Sequence, residues 1–62
     1  MTLKMAQKIA REEFGISIRK TLAGDYMVNF KGDPEEYAVY EDTIIDALSI
    51  AKIMYRNKYN LG

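Results

Sequence analysis

Residues 42–59 read DTIIDALSIAKIMYRNKY. Wound as an α-helix, this stretch puts Ile44, Ala47, Leu48, Ala51, Met54 and Tyr55 on one stripe. That is the i, i+3, i+4, i+7 spacing of an amphipathic helix. A chain of 62 residues makes one domain, residues 1–62. Its core has to assemble mainly against this stripe. Asp42 or Thr43 is expected as the N-cap. Thr43 and Asp46 have capping-box spacing, and acids suit the positive end of the helix dipole. Lys52, Arg56 and Lys58 suit the other end. Asn60 and Gly62 are expected to fray.

Working back from that helix, residues 37–40 (YAVY) read as a short strand. Its alternation fits two phases, Ala38 and Tyr40 inward or Tyr37 and Val39 inward. The first is favoured because a small residue fits easily beneath a crossing helix. Residues 32–35 (GDPE) form the strongest turn in the chain, with Pro34 pre-set for its second position. Before it, residues 26–31 alternate, with Tyr26, Val28 and Phe30 on one face and Met27, Asn29 and Lys31 on the other. Residues 16–22 alternate too, with Ile16, Ile18 and Leu22 expected in the core. Residues 23–25 (AGD) join the two runs into an antiparallel hairpin.

The chain opens on a second helix. Thr2 suits the N-cap, and Leu3, Ala6, Ala10 and Phe14 share a stripe. Gly15 is its stop signal, free to take the left-handed conformation. The expected fold is therefore α+β, in the order α-β-β-β-α. It is a three-stranded antiparallel meander with two helices on one face.

Composition narrows the chemistry. There is no Cys and no His, so there is no disulfide, no thiolate metal ligand and no imidazole base. A chain this short buries only about 60% of its unfolded surface, so stability is marginal. No apolar run reaches the roughly 18 residues a membrane helix needs. The first residues lack the apolar core of a secretory signal. A soluble, cytoplasmic protein is the expectation.

No residue pattern suggests catalysis. Glu12 with Glu13, and Glu35 with Glu36, are adjacent pairs, and neighbours on a helix do not face each other. EF-hand spacing, a phosphate-binding glycine loop and a nucleophile elbow are all missing. No enzymatic activity, cofactor or metal is expected.

Surfaces are more informative than chemistry. Nine basic and nine acidic residues cancel to zero net charge, but they are segregated. Asp33, Glu35, Glu36, Glu41, Asp42 and Asp46 follow one another with no base between them, which makes an acidic patch. Lys4, Lys8, Arg11, Arg19 and Lys20 lie in the first half and are candidate phosphate contacts. The element order is also that of the double-stranded RNA-binding domain. That family grips phosphates with lysines at the start of its last helix, where this chain reads EDTIID. The sign of charge is wrong there, so the likeness stops at topology.

The last helix has an apolar arc wider than its core stripe. Ile53 lies about 180° from Ile44, with Ile50 and Met54 flanking it. Such a strip on a charged helix marks a candidate partner or dimer surface. The sheet face opposite the helices is a second candidate, presenting Met27, Asn29, Tyr37 and Val39 beside Arg19 and Lys31.

Residues 26–32 (YMVNFKG), 38–42 (AVYED) and 46–48 (DAL), with Ala51 and Met54, resemble a pattern in small bacterial and prophage proteins. The likeness covers about the second half of the chain. It implies a phage-encoded inhibitor of a host or defence protein, a group that includes anti-CRISPR proteins. Such proteins act by occupying a surface on a larger protein. The expected function is thus a non-enzymatic protein-binding module, with a homodimer as one form. The alternative is a nucleic-acid-binding accessory protein using the basic first helix and first strand.

Overall fold

The computed structural model describes residues 1–61. Thr2 caps the first helix, its hydroxyl accepting the Met5 N–H at 3.2 Å. Helix α1 runs Leu3–Ile9 and continues as a wider π-helical turn over Ala10–Phe14. The periodicity predicts an unbroken α-helix here, and no residue marks the widening. Gly15 ends the segment at φ 65°, its N–H shared between the Ala10 and Arg11 carbonyls. A side chain at that φ is strained, so glycine is the natural stop.

Strands β1 (Ile16–Lys20) and β2 (Tyr26–Phe30) form the expected hairpin, Ile18 opposite Val28. The turn is held from both sides by Thr21. Its N–H donates to the Asp25 carbonyl, its carbonyl accepts from Gly24, and its hydroxyl donates to the Asp25 carboxylate. Leu22 therefore sits at the turn tip and is fully exposed. The alternation that placed it in the core ends at Lys20, where the strand ends.

After a 3-10 turn at Glu35–Tyr37, strand β3 (Val39–Glu41) pairs antiparallel with β2. The sheet order is β1-β2-β3, and the chain is α-β-β-β-α as expected. The phase of β3 is the reverse of the favoured one. Val39 stands opposite Val28 and so shares the helix-covered face, whereas Tyr40 stands opposite Met27 on the other face. Tyr37 belongs to the 3-10 turn and not to the strand.

Helix α2 spans Ile44–Lys58, capped by the Thr43 hydroxyl on the Asp46 N–H at 3.0 Å. Beyond it, Asn60 takes φ 55° while the Leu61 N–H reaches the Arg56 carbonyl at 2.8 Å. The helix end is thus closed by its own hydrogen bonds where fraying was expected; Gly62 lies outside the described residues.

The core joins Ala6 and Ala10 of the first helix, Ala47 and Ala51 of α2, and Ile16, Ile18 and Val28 of the sheet. The alanines let both helices approach the sheet closely. Among the described residues, only the two isoleucines and the valine are large and fully buried. At about 1.5–3 kcal/mol each, they give a small core. Leu3, Phe14, Tyr26, Phe30, Leu48 and Tyr55 are among the half-buried side chains around it. Phe14 and Tyr55 pack ring on ring, centroids 5.2 Å apart, tying the π turn to α2. No helix is long and apolar enough to cross a membrane among the described residues.

Candidate protein-binding surfaces

Hairpin register decides what the open sheet face displays. Arg19 stands opposite Met27, and Met27 opposite Tyr40, so one row crosses all three strands. Arg19 and Tyr40 are exposed and Met27 is half-buried. Tyr37 is exposed in the turn that leads into β3. Of the expected face residues, Met27 is therefore in place and Val39 is turned to the core. Tyr40 takes the position assigned to Val39. Its parity was ambiguous in the sequence, and only its opposition to Met27 resolves it.

The lower part of this face is not open. Asn29 is only 5% exposed. Its amide nitrogen donates to the carbonyls of Asp33 (3.3 Å) and Pro34 (3.0 Å). The loop that follows β2 is thereby folded back over the strand. Ser17, opposite Asn29 in the register, donates its hydroxyl to the Asn29 carbonyl at 3.4 Å. The Asn29 side-chain oxygen has no protein partner among the described residues. Buried amides are usually satisfied on both sides, so this residue is held chiefly by its two donated bonds.

The apolar flank of α2 is narrower than its sequence suggests. Ile50 and Met54 are half-buried and pack against the core. Ile53 is half exposed, in a shallow groove with Arg56, Asn57, Asn60 and Leu61. A more apolar groove lies on the other flank, where Ile45 and Leu48 of α2 meet Met1, Ile9 and Phe14. Ile45 and Met1 are both largely exposed there. Ile45 sits about 100° from Ile44 on the helix, a position the stripe pattern gave no reason to single out.

The charged residues are spread over several sites, and Glu35 of the acidic run lines a groove with Arg19, Lys20 and Met27. Asp33, Glu35 and Glu36 lie in the loop before β3, and Asp42 and Asp46 lie at the start of α2, all exposed. Glu41 is half-buried opposite Tyr26. No group of three carboxylates is close enough to hold a metal ion among the described residues. Of the basic candidates, Arg11 and Arg19 line one groove, which Lys31 joins; Lys4 and Lys8 are exposed but lie outside its lining. The Lys20 ammonium lies 6.0 Å from the centre of the Tyr26 ring, at the outer limit of a cation–π contact. Comparison with protein-family models, curated proteins and solved structures gives no match to the chain.

Proposed function

We propose that this chain is a non-enzymatic protein-binding module that docks through its open sheet face. The observation that carries this reading is the row Arg19–Met27–Tyr40 across three strands left uncovered by either helix. Arg, Met and Tyr are the residue types enriched at protein interfaces, and they combine rigid apolar area with polar tips. In keeping with the sequence pattern, the larger protein it occupies is a host or defence protein of a bacterium, and the chain is a phage-type inhibitor.

The test compares the wild-type chain with a Met27→Glu, Tyr40→Ala double variant as bait in a bacterial lysate. Captured proteins are identified by mass spectrometry and their binding measured with purified components. Both positions lie off the core, so the variant keeps its melting temperature. Binding falls by about thirtyfold or more, since truncating anchors of this kind costs about 2 kcal/mol or more. Unchanged binding by a folded double variant would refute the face. Light scattering on the free chain reports whether the partner is a second copy.

The nucleic-acid alternative keeps one supporting observation, the meeting of Arg11, Arg19 and Lys31 in one groove. It requires binding to DNA or RNA that weakens steeply with salt, because phosphate contacts release counterions.

A further inference from the structure

The strand order leaves β1 at the edge of the sheet. Its register fixes which backbone groups face outward. The Thr21 N–H bonds to the Asp25 carbonyl and the Lys31 N–H to the Gly15 carbonyl. In an antiparallel ladder such bonded pairs alternate with non-bonded ones. Ser17 and Arg19 therefore bond toward β2, while Ile16, Ile18 and Lys20 turn their backbone groups to the free edge. Among the described residues, the Gln7 side-chain amide meets that edge, donating to the Ile18 carbonyl at 2.9 Å. A primary amide there occupies the place of a neighbouring strand's N–H.

A groove runs along this edge, lined by Gln7 and by Arg11, Arg19 and Lys31, with no carboxylate in its lining. All three cations are exposed, and none has a carboxylate partner among the described residues. An unpaired strand edge templates the addition of another strand. We propose that β1 accepts an extended acidic peptide segment of a partner protein as a fourth strand, with Arg11, Arg19 and Lys31 receiving its carboxylates and its N–H replacing the Gln7 amide on Ile18.

Two features favour this occupant. The edge offers alternating backbone donors and acceptors, which match a peptide backbone, whereas phosphates match only the cations. A second copy paired through β1 would bring like charges together, which destabilises a strand pair. Pairing to β3 of a second copy is weak as well, since only Tyr40 of that three-residue strand turns its backbone outward.

The test uses wild-type protein and a short capped peptide of alternating Glu and Val. Two further versions carry N-methyl groups on one or the other alternate set of backbone amides. A strand docks by one edge only, so methylating one set abolishes binding and methylating the other leaves it intact. Bound peptide slows hydrogen exchange at the Ile18 and Lys20 amides. The exposed double change Arg11→Glu, Lys31→Glu weakens binding about tenfold or more, or 1.4 kcal/mol and upward, with an unchanged melting temperature. Equal binding of both methylated peptides would show attraction by charge alone and overturn the proposal. So would tighter binding of a single-stranded oligonucleotide without amide protection, or concentration-dependent self-association that the peptide does not reverse. A sheet-face variant that adds no charge beside Arg19, Met27→Ala with Tyr40→Ala, leaves peptide binding intact, so failure of the face and failure of the edge are separable.

Discussion

Replacing Asn29 by Asp is nearly isosteric, yet it is expected to be among the most damaging changes outside the alanine core. The amide nitrogen of Asn29 donates to two loop carbonyls, at 3.0 and 3.3 Å, from a side chain that is 5% exposed. A carboxylate has no donor to offer. It would set a negative oxygen against two carbonyl oxygens in a site shielded from water. The two lost bonds cost about 1–3 kcal/mol together, and burial of the unpaired charge adds to that. A 62-residue domain has roughly 3–9 kcal/mol to lose. At neutral pH, Asn29→Asp should remove at least about 3 kcal/mol, and Asn29→Ala only about 1–2 kcal/mol, because alanine also deletes the unpartnered side-chain oxygen.

Acid brings the two variants closer together. The introduced carboxyl has its folded-state pKa raised above the unfolded value of about 3.9. The charge part of its penalty is therefore absent below about pH 4, grows as pH rises above the unfolded value, and is complete above the folded-state pKa. Urea denaturation followed by circular dichroism, with each variant compared with wild type at the same pH, measures both effects. If Asn29→Asp is as stable as Asn29→Ala at pH 7, or the gap fails to narrow in acid, the amide is not what holds the loop against β2.

Two other substitutions test the core assignment. Ala51→Asp places an unpaired charge at a position with no solvent exposure, so the variant should lose its cooperative thermal transition; a melting temperature near wild type would contradict the packing of α2. Leu22→Ser should change stability by no more than about 0.5 kcal/mol in the same assay, because the side chain is fully exposed at the hairpin tip.

The candidate surfaces were legible in unequal measure. Met27 and Arg19 could be placed on the open face because each lies in a run with clear alternation. Tyr40 could not, because in YAVY each parity contains one tyrosine. The Ile50–Met54 flank looked exposed because helical angles show which way a side chain points, but not how much of the helix its neighbours cover. Asn29 gave no sign of burial, since what covers it is the loop that follows its own strand.

Local physics decided the elements. The i, i+3, i+4 stripe, the hydroxyls of Thr2 and Thr43, the left-handed Gly15 and the alternation around the hairpin are interactions between residues close in the chain. They set the order α-β-β-β-α and where most elements begin, but not the end of β1 or the start of β3. Register and proximity were decided only in three dimensions. Val39 faces the core because it stands opposite Val28. Arg11, Arg19 and Lys31 meet because Lys31 pairs across the hairpin end with Gly15, the residue at which the first helix turns into β1. Those contacts join residues separated by turns, and their energies depend on how the whole chain packs, which no local periodicity encodes.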